Sequence, residues 1–255
     1  MRGQNKIMYR FSEEWFNPLF FILKDLIDSG VREIYIYGGK SSSKSHTICQ
    51  YMGIKSVSRG LSSIIFRKES TVIKTTIKQT FKRAISGCKI DNAFDELNFS
   101  FRNKNGSEII FKGLDSDEKV KGVEGYSYLL FDELNQFSFK EWEQALLSFR
   151  GEKARAFFGT WNPVSDKSWV KTELVDKDEW AESEKYKLPS DISFVKINKT
   201  GTRALIKTDY RDNYWAVGSP CGKYGYLDDG LIRNYEALRI NNYSSYKVNV
   251  LGEWG

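Results

Sequence analysis

Histidine is nearly absent from this chain, with one in 255 residues, and cysteine and proline are scarce at three and four. Ser-His-Asp and Cys-His catalysis need an imidazole held by a third group against a nucleophile, so His46 alone leaves little room for either. Cys49, Cys88 and Cys221 are odd in number, widely separated and without a C-x-x-C pair. Disulfide scaffolds and structural zinc are therefore disfavoured. Long apolar runs are missing as well. The longest near the N-terminus, Leu19 to Leu23, falls far short of the ~18 residues a membrane span needs, and no signal-peptide pattern precedes it. The expectation is a soluble protein acting in the compartment where it is made. Charge is only mildly one-sided: 39 Lys plus Arg against 33 Asp plus Glu gives +6, which permits a polyanionic partner without requiring one. Any chemistry falls to carboxylates, a lysine or a metal.

Apolar residues make up 40% and the 20 glycines raise this to about 48%, as in folded globular domains. No repeat, low-complexity tract or Pro-rich linker divides the chain. The pattern predicts short strands alternating with helices. Residues 33–37 (EIYIY) and 63–67 (SIIFR) read as strands, with a helix from Lys44 to about Lys55 between them. Ile73, Ile77, Phe81 and Ile85 recur every four residues and predict a helical face between Thr71 and Ser86, with Lys74, Lys78 and Lys82 as a stripe alongside. Asn98 to Lys112 reads as a hairpin around Asn105-Gly106. Residues 128–131 (YLLF) predict a strand buried on both faces. A helix over 138–149, strands over 154–159 and 192–197, and a helix near 228–239 follow. Such alternation argues for an α/β fold with a mostly parallel central sheet flanked by helices.

The decisive segment is Gly38-Gly39-Lys40-Ser41-Ser42-Ser43-Lys44-Ser45, leaving one expected strand and opening a helix. There, successive backbone N–H groups at a helix N-terminus cradle phosphates, Lys44 neutralises the β/γ charge and the Ser45 hydroxyl reaches Mg²⁺. Ser43 stands where the G-x-x-x-x-G-K-[ST] pattern has its second glycine, and a plain polar loop is the rival reading. The strand over 128–131 runs into Asp132-Glu133, at the carboxyl end where α/β sheets place ligand crevices. One carboxylate there can hold the metal of a nucleotide and the second can orient water, whereas a helix-capping acidic pair is the bland alternative. Gly159-Thr160-Trp161-Asn162-Pro163 leaves the next strand, with small polar groups able to report a γ-phosphate or to form an ordinary turn.

The set YGGKSSSKS, YLLFDE and GTWNP, in this order, resembles the ATPase domain of the large terminase subunit of tailed double-stranded DNA bacteriophages. The likeness runs from Phe16-Asn17-Pro18 to Leu251-Gly252-Glu253-Trp254. It implies a phosphate-loop NTPase of the RecA-like (ASCE) type spanning residues 1–255, binding ATP and Mg²⁺ and driving double-stranded viral DNA into a procapsid. By this resemblance Gly38, Gly39, Lys40, Ser41, Ser42, Ser43, Lys44, Ser45 and His46 form the Walker A nucleotide-binding stretch. Asp132 with Ser45 would hold Mg²⁺, Glu133 would be the catalytic carboxylate of Walker B, and Thr160 with Asn162 would couple hydrolysis to movement. Lys40 stands where many relatives carry arginine, keeping the charge without the bidentate fork. Phe16-Asn17-Pro18 resembles the family's adenine-side segment. The implied partners are a portal protein, a small terminase subunit and further copies in a ring, a pentamer by resemblance, in the cytoplasm of the infected bacterial host and outside the mature virion. Lys119, Lys121 and Arg150 are the cations nearest Asp132-Glu133 in sequence that a neighbouring subunit could use. The C-terminal nuclease domain that large terminases carry is expected to lie outside this chain.

Other residues have simpler readings. His46 reads as a packing or polar neighbour rather than a base. The lysine stripe reads as a solvated face with DNA contact as the alternative. The 38 aromatics read as core, and Asp228-Asp229 as a helix cap. A helicase-like translocase and a non-catalytic nucleotide-binding assembly module are the rival functions.

Overall fold

The computed structural model describes residues 10–114 and 122–255. The first half holds helix α1 (Pro18–Asp28), strand β1 (Glu33–Gly38), α2 (Lys44–Arg59), β2 (Ser63–Arg67), α3 (Ile77–Gly87), β3 (Phe94–Glu96), β4 (Ser100–Asn103) and β5 (Glu108–Gly113). The second holds β6 (Tyr128–Asp132), α4 (Phe139–Ser148), β7 (Ala156–Trp161), β8 (Trp180–Glu182), β9 (Phe194–Asn198), β10 (Arg203–Thr208), α5 (Tyr214–Val217), α6 (Asp229–Asn241) and α7 (Tyr243–Asn249). Among the described residues these strands form one sheet in the order β3-β4-β5-β2-β6-β7-β1-β10-β9-β8. The inner strands β5-β2-β6-β7-β1-β10 run parallel, and antiparallel strands close both edges.

Strand alternation sorts the core into two layers. Ile34, Ile36, Leu130 and Phe158 pack against Leu23, Met52 and Phe81 of α1, α2 and α3. Tyr35, Tyr37, Leu129, Phe131 and Phe157 point the other way, toward Trp142 and Ala145 of α4. A smaller cluster around Tyr210, Tyr235, Tyr246 and Val250 joins the C-terminal helices. The bulk of the large aromatics is core, as expected.

Several elements differ from the sequence pattern for visible reasons. Helix α2 continues to Arg59 and stops at Gly60, whose φ of +67° closes the last turn. Helix α3 starts at Ile77, because the Thr75 and Thr76 hydroxyls both donate to the Val72 carbonyl and give the backbone a turn in place of a helix. Ile73 is nevertheless buried with Ile77, Phe81 and Ile85. Lys78 is itself buried and pairs with Glu96 at 2.9 Å, as does Lys82, so the expected lysine stripe is not a free cationic face. Strand β7 is displaced two residues C-terminal of the expected span, which puts Thr160 and Trp161 inside the sheet. The Arg32 guanidinium, which holds the carbonyls of Ala154 and Arg155, keeps those two residues out of the strand. Asp228 accepts from the Leu231 N–H and caps α6, as expected.

Candidate active site

Parallel pairing brings three sequence motifs to one edge. Strand β1 lies beside β7, with Tyr37 opposite Trp161, and β7 lies beside β6, with Thr160 opposite Asp132. The loop after β1, the acidic pair after β6 and Asn162 after β7 therefore meet at the carboxyl ends of adjacent strands. Lys40 through Ser45, His46, Asp132, Glu133, Thr160 and Asn162 all line a single cleft of about 890 Å³.

The loop is held by its surroundings. A Cβ on Gly39 would lie 1.7 Å from the Val250 carbonyl oxygen, so only glycine fits there. A Cβ on Gly38 would lie equally close to the Thr208 carbonyl oxygen of β10. The Lys40 N–H donates to the Asn249 carbonyl at 2.7 Å while its side chain faces solvent. Ser42 is buried, with its hydroxyl on the Gly39 carbonyl at 2.9 Å. Ser43, the residue in place of the expected glycine, has φ +63° and caps α2 in the left-handed region that glycine favours.

Lys44 opens α2 with its ammonium turned back into the loop. It donates to the carbonyls of Gly38 and Gly39 at 3.0 and 2.8 Å, to Ser42 Oγ at 3.0 Å and to Asn162 Oδ1 at 3.1 Å. Burial pulls its pKa down to about 8, against the opposing pull of Asp132 and Glu133. An anion in the cleft can take over these contacts and stabilise the charged form.

Asp132 ends β6, almost fully buried. Its Oδ1 accepts from Ser45 Oγ and, at 2.9 Å, from Thr160 Oγ1. Its Oδ2 pairs with Arg67, whose second amino group reaches Glu133 Oε1 at 2.7 Å. Glu133 leaves the strand with φ +59°, which turns its side chain into the cleft. Among the described residues no group of three or more His, Cys, Asp or Glu could hold a metal. One carboxylate and two hydroxyls are hard oxygen donors that suit Mg²⁺ shared with phosphate oxygens. His46 lines the same cleft, and burial beside Arg83 pulls its pKa down to about 4, so it is neutral at pH 7.

Sequence reasoning missed two cations in the cleft, Arg67 and Arg83. Arg67 closes strand β2, which the fold sets beside the acidic strand β6. Arg150 instead lines a separate pocket with Arg32 and Arg155, near the start of β1 and β7. Lys119 and Lys121 lie outside the described residues. The closing segment 251–254 reaches the site too: Trp254 packs on Tyr37 at 5.4 Å between ring centroids, and Tyr37 stacks on Trp161 at 5.6 Å.

The chain is similar to known proteins in sequence and in fold. The family model described as phage terminase large subunit matches residues 32–253. The PBSX phage terminase large subunit of Bacillus subtilis (strain 168) is 23% identical over 139 residues, 53% of this chain and 32% of that protein. The large terminase of a thermophilic bacteriophage superposes with a TM-score of 0.62 at 14% identity, covering 96% of this chain and 54% of that one. Structures of that same terminase in complex with ADP and with ATP-gamma-S match as well, with TM-scores of 0.59 and 0.60. The large terminase ATPase domain of Thermus phage P74-26 gives a TM-score of 0.55 at 14% identity over 88% of both chains. This chain thus spans about a third of the Bacillus relative and about half of the thermophilic phage terminase. The family model takes in the loop, the acidic pair and the segment around Thr160 and Asn162 together, and the chain belongs to the phage terminase large subunit family.

Proposed function

We propose that this chain is the ATP-hydrolysing motor unit of a viral DNA-packaging terminase. The observation that carries the reading is the convergence of Lys44, Ser45, Asp132, Glu133, Thr160 and Asn162 on one cleft at the carboxyl ends of β1, β6 and β7. The complexes of the thermophilic phage terminase with ADP and ATP-gamma-S support a nucleotide as the ligand. Loop N–H groups and Lys44 bind the β- and γ-phosphates. Ser45 and Asp132 would hold Mg²⁺, which supplies neutralisation of the phosphate charge. Glu133 orients a water for in-line attack: the water oxygen bonds to the γ-phosphorus as the bond to the β–γ bridging oxygen breaks and ADP leaves, with the water's proton passing to Glu133. Asn162, bonded to Lys44, and Thr160, bonded to Asp132, would register loss of the γ-phosphate.

In this reading residues 1–255 supply ATP hydrolysis and no nuclease chemistry. The work is translocation of double-stranded viral DNA, by a ring of copies on the procapsid with a portal protein and a small terminase subunit as partners, in the cytoplasm of the infected bacterium. Calorimetry of ATP with Mg²⁺ tests its foundation. Parent binding that is lost in Lys44→Ala supports the reading, and no parent binding at millimolar nucleotide overturns it. Turnover stimulated by duplex DNA separates a packaging motor from a helicase-like translocase, which single strands would stimulate. Binding without turnover under any of these conditions would identify an assembly module.

A further inference from the structure

Ser41 and Ser43 both hold left-handed backbone, with φ of +60° and +63°. That conformation is unfavourable for a residue with a Cβ, and the loop carries it twice within three residues. Each serine is gripped by side chains from remote parts of the chain.

Asn17 precedes α1 and is 1% exposed. Its Nδ2 donates to Ser43 Oγ at 3.0 Å and to Asn213 Oδ1 at 3.2 Å, while its Oδ1 accepts from the Tyr214 N–H at 2.8 Å. Asn213, which caps α5, donates from Nδ2 to the Ser41 carbonyl at 2.8 Å. The Tyr235 hydroxyl of α6 donates to Ser41 Oγ at 2.9 Å. Ser43 Oγ also lies 3.3 Å from Thr47 Oγ1 within α2. Both amide hydrogens of Asn17 are thus committed, and none remains to donate to a base. The Asn17–Asn213 pair instead ties the two left-handed serines to each other and to two separate helices.

We propose that Asn17 and Asn213 are positioning residues that hold this serine-for-glycine loop in its phosphate-receiving shape. Their hydrogen bonds secure a backbone that glycine would adopt unaided. The proposal rests on the phosphate-binding role of the loop. It explains how Ser43 can occupy the glycine position with the loop still facing the acidic pair.

The test is calorimetric binding of ATP with Mg²⁺ to the full chain, with thermal melting run in parallel. Asn17→Ala and Asn213→Ala should each weaken ATP binding about tenfold, the loss expected when a net hydrogen bond is removed. Adding Ser43→Gly to the first, and Ser41→Gly to the second, should restore affinity to within about threefold, because glycine adopts the conformation without the brace. A purely structural role would lower the melting temperature without this pairwise rescue. Single variants that bind like the parent overturn the proposal, and so does a loss that the paired glycine fails to restore. Absence of ATP binding by the parent overturns the phosphate-loop reading itself and this proposal with it. Should Asn17→Ala not fold, the partly exposed Asn213 with Ser41 carries the test.

Discussion

Arg67 Nη2 lies 2.7 Å from Glu133 Oε1, while the other amino group of the same guanidinium pairs with Asp132. One cation therefore offsets two adjacent carboxylates, and Arg67 and Asp132 are both largely buried. Removing one partner of such a pair strands the other's charge in a poorly solvated place. Arg67→Met should lower stability by about 3 kcal/mol, near the lower end for broken buried pairs. Millimolar Mg²⁺ should restore part of that loss by supplying positive charge at Asp132. Urea unfolding with and without Mg²⁺ checks this, and a variant as stable as the parent would remove Arg67 from the role.

Glu133→Gln keeps the shape of the side chain and an oxygen able to accept from Arg67, but removes the charge that orients and accepts from water. Turnover should fall about 10²- to 10⁴-fold, the usual contribution of a positioned base. ATP affinity should stay near the parent's, since the loop and Asp132 are untouched. Single-turnover hydrolysis beside calorimetry separates the two, and turnover at the parent rate would dismiss Glu133 as the catalytic carboxylate.

Much of this site was legible because its elements are local. The strand over 63–67 and the turn at Asn105-Gly106 stand where alternation and turn chemistry place them. The strand ending at Asp132 likewise announced itself as a continuous apolar run. What stayed hidden depends on distant partners. Strand β10 pairs directly with β1, far from it in sequence, yet its polar flanks gave no clear period. Arg67 acquires its role only when β2 and β6 become neighbours. The grip of Asn17 and Asn213 on the loop spans up to 172 residues of sequence, beyond the reach of any periodicity.

Lys44 carries a pH signature. Burial lowers its pKa to about 8 from 10.5. Between these values the folded protein has given up a proton that the unfolded chain retains, so raising pH across that window favours folding. The cost of burying the charge is present in full below pH 8 and fades as pH approaches 10.5. Bound phosphate acts oppositely, stabilising the ammonium. ATP binding should therefore take up about 0.9 proton at pH 9 and little at pH 7, and affinity should fall with rising pH above 8. Calorimetry in buffers of different ionisation enthalpy counts that proton, and equal uptake at both pH values would contradict the assignment.

Gly252 tests whether the segment 251–254 supports the phosphate loop. Its φ is +66°, and a Cβ there would sit 2.4 Å from Gly38 Cα and 2.5 Å from Gly39 N, against backbone that cannot yield without moving the loop. Gly201 has nearly the same φ, +70°, but nothing within 4 Å of its would-be Cβ. Gly201→Ala should cost only the left-handed penalty, about 1 kcal/mol, and leave ATP affinity alone. Gly252→Ala adds the clash to that penalty and should destabilise by about 3 kcal/mol or more, in line with overpacking a rigid site. It should also weaken ATP binding at least about tenfold, because Gly38 and Gly39 must shift to admit the methyl group. Urea midpoints and ATP affinities of the two variants, measured side by side, isolate the contact from the conformation. Equal behaviour would mean that the closing segment merely passes the loop, and a loss confined to Gly252→Ala would make it part of the loop's support.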